Sequence, residues 1–319
     1  MDKTKGESLY EYISRSITGD GILPDDFSLP KLEDKQKAIF ADGAMDGIQI
    51  YHMGFTALED DDRKTILDLL RLANKNELEK ASEGFLKFCE RFGAIVLIDD
   101  IQNTIIDNRD ELDVHQMVKF AVTLISESSE RELVKIGLII LELVDTSKDA
   151  DLMRTIRTLG LSDEFTIFSV FIMRHWPDGQ MEILDLAKRV HGWGRIHCVR
   201  FIEPENDEIT HWLLMNGIDN CVMSEYSALE VFDKINVEDM LDRTDLTDEE
   251  VKAVLKIIDA MLVEGPVQGL SAVESPPDLL TKVLKFAEDK TLDEEGQQII
   301  KDVAELKQRF EGKNESTDN

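Results

Sequence analysis

Cysteine is scarce. The 319-residue chain has three, Cys89, Cys198 and Cys221, an odd number set far apart in helical or helix-flanking stretches. That usage excludes a disulfide framework and fits a reducing compartment, so the chain is expected to be cytoplasmic. Positive charge is short as well: 36 Lys and Arg stand against 66 Asp and Glu, a formal net charge of −30. Such a surface repels nucleic acid and anionic membrane unless a locally basic site is present. No apolar run reaches the roughly 18 residues needed to cross a bilayer. The N-terminal MDKTKGESLYEYISRS lacks the apolar core of a signal peptide.

Motifs of chemistry are missing too. There is no Gly-x-Ser-x-Gly, no phosphate-cradling Gly-x-x-x-x-Gly-Lys, no Cys-x-x-Cys and no His-Glu-x-x-His, and Gly192-x-Gly194 has no third glycine for a dinucleotide fingerprint. His191, His197, Cys198 and His211 make a poor zinc set, because a spacing of six between the first two leaves them off one helical face. Asp42, Asp46 and His52 read more simply as solvated acids beside close-packing glycines than as metal ligands. No metal and no cofactor is expected, and the chain is read as more a binder than an enzyme.

What is present is helix. Arg131 to Val144 (RELVKIGLIILELV) is interrupted after its first turn only by Lys135 and Glu142, and Glu164 to Trp176 (EFTIFSVFIMRHW) and Gly194 to Ile202 (GRIHCVRFI) are similarly apolar. Helices without a wide polar face are buried on most sides. Each follows a more amphipathic helix, over 114–126, 149–159 and 180–191. Corresponding points Leu124, Leu159 and Val190 lie 35 and 31 residues apart, a helix-pair repeat length. One hairpin cannot cover its own apolar side, whereas stacked neighbours can. The expected fold is all-α, an α-α superhelix of stacked antiparallel hairpins.

With its Gly- or Ser/Asp-containing turns at 160–163 and 191–194, this alternation resembles the HEAT and armadillo α-solenoids over residues 63 to 235. More narrowly, Ala41-Asp42-Gly43-Ala44-Met45-Asp46-Gly47 followed by Tyr51-His52, and His191-Gly192-Trp193-Gly194-Arg195-Ile196-His197-Cys198, resemble segments of an uncharacterised bacterial helical family. Some of its members carry a limonene hydroxylase label. Such an oxygenase needs haem, flavin or iron, for which this chain offers no recognisable motif.

Four regions follow: an N-terminal helical cap with a Pro-containing extended segment (1–62), the repeats (63–245), C-terminal helices (246–311) and a disordered tail (312–319). In the cap, helices are expected over 7–17 and 31–52. Thr247-Asp248-Glu249-Glu250 is a strong helix start, and three of the seven prolines mark 265–277 as a loop. The closing hairpin, 278–310, reads as a cap or a homodimerisation element.

Between Arg154 and Arg200 seven basic residues face five acidic ones, a local excess of positive charge in an acidic protein. Arg174, His191, Trp193, Arg195, His197 and Arg200, with His211 and Trp212 just beyond, form the candidate binding site, and no residue stands out as catalytic. Gly192 and Gly194 allow close backbone approach, and the N–H groups opening the next helix join Arg195 as anion donors. The competing reading makes these residues packing plugs and carbonyl caps. The expected function is a non-catalytic α-solenoid scaffold that binds a protein or peptide. The alternatives are an enzyme or sensor for a small anionic ligand using 191–200, and a HEAT-like DNA glycosylase using Trp176, Trp193 and Trp212, which the net charge opposes.

Overall fold

The computed structural model describes residues 6–30, 40–55 and 57–317, with side chains to Gly312. Every regular element among them is helical, and none of these helices is long and apolar enough to cross a membrane. Two compact units are present, residues 1–201 and 202–319, a division that falls inside the stretch 63–245 read from the sequence as one array.

The first unit begins with α1 (Leu9–Ser16). Ser8 and Glu11 close a capping box, and Leu9 and Ile13 are buried. Of the helix expected over 31–52, residues 31–39 lie outside the described set. The described part forms α2 (Ala44–Ile48), which continues as a π-turn over Gln49–Met53. Three aspartates open α3 (Asp60–Asn74), where negative charge suits the unpaired N–H groups. It packs on α4 (Leu78–Phe92). A 3-10 turn at Ala94–Leu97 then leads into α5 (Ile98–Asp107).

Three hairpins follow: α6 (Val114–Glu127) with α7 (Arg131–Leu141), α8 (Ala150–Gly160) with α9 (Thr166–Met173), and α10 (Gly179–Ala187) with α11 (Trp193–Phe201). Asp113 and Asp149 cap α6 and α8 by accepting first-turn N–H groups. The second members touch in chain order, α5 to α7 to α9 to α11, while α1 lies on α6 and α8. This neighbour-to-neighbour pattern is compatible with a helical superhelix. As their composition demands, every residue from Leu133 to Leu141 is buried, and so is all of α9 except Phe171. The ninth helix is shorter than its apolar run, because the chain turns at His175 and Trp176 ahead of Pro177, and the Trp176 indole N–H donates to Thr146 Oγ1 at 2.7 Å.

The second unit holds α12 (Asp207–Asn216), α13 (Glu225–Lys234), α14 (Val237–Met240), α15 (Asp248–Leu262), α16 (Pro276–Ala287) and α17 (Glu294–Thr317). Both α12 and α13 pack on α15, which in turn meets α17 beside its hairpin partner α16. The capping box at Thr247 and Glu250 forms as the sequence pattern requires. The last helix reaches Thr317, into the segment read as a tail.

Close approach of α6 and α7 rests on Gly137. A β-carbon there would lie 2.8 Å from the Ala121 carbonyl oxygen and 2.7 Å from Ile125 Cγ2. Alanine raises intrinsic helix stability by at most about 1 kcal/mol, whereas overpacking a core costs about 1–3 kcal/mol. Gly137→Ala is therefore expected to lower unfolding stability in urea by about 1–2 kcal/mol; an unchanged or raised midpoint would show that the two helices can separate freely.

Candidate functional site

A lysine interrupts the long buried run of α7, and the structure accounts for it. Lys135 is 2% exposed. Its ammonium lies 2.8 Å from Asp46 Oδ2, 2.9 Å from Glu132 Oε1 and 2.7 Å from Glu164 Oε1. One turn earlier Arg131 reaches Asp42 at 2.8 Å and the other Glu164 oxygen at 3.1 Å, and it donates to the Leu29 carbonyl at 3.2 Å. Backbone N–H groups complete the network: Leu29 donates to Asp42, Gly43 to Glu164 and Ala94 to Glu132, at 2.8, 2.9 and 2.6 Å. The segment 42–46, the start of α7 and the approach to α9 are thereby tied together through buried charge.

Two cations face four carboxylates here, so the cluster is acidic even in the interior. Burial raises Asp46 to about 7 against the pull of Lys135, with Glu164 and Glu132 pushing the same way as burial. Asp42 is also raised, by burial, against the Leu29 N–H and Arg131. For Glu164 burial pushes upward, but Lys135 and Arg131 outweigh it and hold the group low. Burial alone would lower Lys135; its three carboxylates instead hold it well above the ordinary lysine value. Next to this network Asp163 is raised to about 7, chiefly by burial, although N–H groups of Gly194 and Trp193 donate to it.

The two glycine-rich segments noticed in the sequence meet each other. A β-carbon on Gly47 would sit 2.3 Å from the Trp193 ring, and Gly43 (φ +74°) backs onto the Asp163 carbonyl and Trp193. Tyr51 and His197 flank the indole, with ring centroids at 6.1 and 6.2 Å. Both nitrogens of the fully buried His197 lack hydrogen-bond partners among the described residues. Burial, helped by Arg200, depresses its pKa to about 3 and keeps the ring neutral.

Beside this contact a groove of about 570 Å³ is lined by residues of α5, α9 and α11, with Glu142 just past the end of α7. Ile98, Ile167, Phe171 and Phe201 line it, and Ile50 and Phe55 add a wall. Phe171 and Phe201 meet edge-on at 4.9 Å. Its polar lining is largely paired: Arg174 with Glu142 at 2.7 Å, Gln102 with Glu142 at 2.8 Å, and Asp100 with Arg63 at 2.9 Å. Arg200 instead stacks over Tyr51 at 5.1 Å and Phe201 at 5.9 Å. No carboxylate among the described residues pairs with it.

Of the eight residues singled out from sequence, Arg174 and Arg200 share this groove. Trp193 and His197 lie buried against each other. Arg195 closes the end of α10, donating to the Ala187 and Val190 carbonyls at 3.1 and 2.8 Å, with a second nitrogen 3.5 Å from His191 Nδ1. The N–H groups expected to receive an outside anion already hold the Asp163 carboxylate. His211, 3.9 Å from Glu250, and the buried Trp212 belong to the second unit. Trp176 is buried as well, so none of the three tryptophans presents a free face for a base. Cys89 and Cys198 are buried, their thiols pushed far above the ordinary value. No group of three or more His, Cys, Asp or Glu among the described residues is placed to hold a metal. The Asp42, Asp46, Glu132, Glu164 and Lys135 cluster escaped the sequence reading; its one signal was a lysine inside an otherwise apolar helix.

Removing the cation strands its carboxylates. Lys135→Met is expected to lose about 3–5 kcal/mol of stability, and adding Asp46→Asn should recover part of it; strictly additive losses in a double-mutant cycle would show that the Lys135 ammonium and the Asp46 carboxylate are not coupled. The raised carboxyls also set a pH dependence. Their folded-state pKa values near 7 exceed the unfolded values, so stability is full below about pH 4 on their account and falls as pH rises toward 7. Glu164 acts oppositely, but its gain is complete once pH exceeds its unfolded value. Unfolding free energies from urea titrations should therefore decline from pH 5 to pH 7.5, by on the order of 2 kcal/mol per raised group, and a flat profile would mean that neither Asp46 nor Asp163 titrates there. No protein-family model, curated protein or solved structure matches the chain.

Proposed function

We propose that the protein is a non-catalytic helical-repeat binder whose working surface is the groove lined by α5, α9 and α11, and that its occupant is an apolar segment of a partner protein. The observation that carries this reading is a run of exposed apolar side chains on the same segment that supplies part of the groove wall. Phe55 lines the groove and is 58% exposed, and Phe40, Met45 and Met53, also exposed, precede it on the same short segment. Large apolar side chains gathered in this way mark contact sites. Stacked hairpins are suited to the task because each adds a strip to one extended surface. The groove's own titratable groups favour holding over chemistry, since Glu142 and Asp100 are spent on arginines.

Arg200 supports a second reading, a small anionic ligand seated with its charge on the guanidinium, because a groove near 570 Å³ falls within the roughly 300–1,000 Å³ of small-molecule sites. Self-association through α16 and α17 is a further part of the proposal, and light scattering that reads a single-chain mass at micromolar concentration would remove it.

The two readings of the groove separate by photo-crosslinking in cells. With benzoylphenylalanine in place of Phe55, ultraviolet light is expected to give a discrete protein adduct that the same group at exposed Val263 does not give. Equal labelling at the two positions, or none at Phe55, would remove the partner-protein reading.

A further inference from the structure

We propose that residues 42–55 form a detachable wall over the α7, α9 and α11 row, held shut by the charge cluster around Lys135 and released as pH rises. The inference is independent of what occupies the groove.

The attachment of this segment divides into two kinds of contact. Residues 42–46 are held mainly by charge and backbone hydrogen bonds: Asp42 by Arg131, the Gly43 N–H by Glu164, and Asp46 by Lys135. Residues 47–51 are held by aromatic contact, Gly47 under the Trp193 ring and Tyr51 between Trp193 and Arg200. Past them Gly54 (φ +67°) marks the end of the segment: a β-carbon there would meet nothing, and among the described residues its N–H and carbonyl are bonded only to Gln49, within the same segment. The same segment supplies Ile50 and Phe55 to the groove, so releasing its charged end dismantles a groove wall. Met45, Met53 and Phe55 remain exposed while it is shut, and Ile48 and Ile50 are only half-buried, so the apolar burial that resists its departure is confined to Ala44, these two partly covered side chains and the Trp193 contact.

The groups that face the two aspartates come from every neighbouring element. The seventh helix contributes Arg131, Glu132 and Lys135, and the approach to α9 contributes Asp163 and Glu164. On α11, Trp193 and Gly194 give N–H groups to Asp163, Arg195 is turned to the α10 carbonyls, His197 is neutral, and Arg200 is stacked on Tyr51. From the α4 side come the neutral Cys89 thiol and the Ala94 N–H, the latter given to Glu132. None of these adds a third cation to the cluster. At low pH a carboxyl proton offsets the acid excess; at higher pH that proton leaves and carboxylates repel across the joint. Asp46, raised to about 7 with the wall in place, would return toward about 4 in water. The shut form therefore holds the advantage below about pH 4 and loses it progressively up to about pH 7.

Hydrogen exchange of the full chain, read by mass spectrometry and corrected for the pH dependence of chemical exchange, tests this directly. Peptides covering 42–55 are expected to be at least tenfold less protected than those covering 131–141 at pH 7, which identifies an opening short of global unfolding. Their protection should fall at least tenfold between pH 5 and pH 7. Asp46→Asn should reduce that step at least threefold while 131–141 stays the better protected. Equal protection of the two stretches, or a wild-type step absent between pH 5 and pH 7, overturns the proposal whether or not the variant folds. A step undiminished in a folded Asp46→Asn protein overturns it as well.

Discussion

A buried ammonium has to be matched or it will not stay buried. Withdrawing one charge from water costs several kcal/mol even after relaxation, and Lys135 sits in the centre of a fully buried stretch of α7, itself 2% exposed. Its three carboxylates come from positions 46, 132 and 164. Only Glu132 is local. The other two must be carried in by separate parts of the chain, so a single interaction fixes where the N-terminal segment lies and where α9 begins. The same demand explains the otherwise odd entry of Glu164, at the mouth of a helix whose remaining residues are nearly all apolar.

Charge does not supply most of the stability in this region. Replacing buried ion pairs by apolar groups of similar shape is often neutral or favourable, and the rows Leu133 to Leu141 and Thr166 to Met173 bury far more apolar surface than the cluster does charge. What the cluster provides is register. An apolar contact such as Gly47 on Trp193 tolerates sliding by a fraction of a residue, whereas Asp46 can meet Lys135, and Asp42 Arg131, in only one alignment of the segment. The excess of two carboxylates makes that register sensitive to protons, while the aromatic contact beside it is not.

The helices were legible in the sequence because their signals are local. Ser8 with Glu11, Asp113, Asp149 and Thr247 with Glu250 each cap the helix that they precede, and the runs over α7 and α9 are too apolar to lie outside. The placement of Arg174 and Arg200 at the ends of successive buried helices was enough to bring both to one groove. The cluster was not legible. Asp42 and Asp46 look like surface acids until Arg131 and Lys135 are set against them, and that juxtaposition spans about ninety residues of chain, beyond any periodicity. Arg195 misled for a related reason. A guanidinium beside free N–H groups looks like an anion site, but whether the site is open depends on Asp163, which arrives from the preceding hairpin and takes those N–H groups itself.

Groove and cluster meet in one segment, and that fixes how any occupant must behave. A ligand or partner that rests on Ile50 and Phe55 gains those contacts only while 42–55 is shut. By linkage it raises the proton affinity of Asp46, and protons raise its affinity by the same factor. A partner that needs the row behind the wall, where Trp193 and the charges lie, must first separate Asp46 from Lys135; its binding releases protons and is favoured as pH rises. The two modes share residues yet carry opposite signs of proton uptake. Net proton exchange on binding, measured at one pH in buffers of different ionisation enthalpy, therefore tells which face of the segment an occupant uses without a structure of the complex.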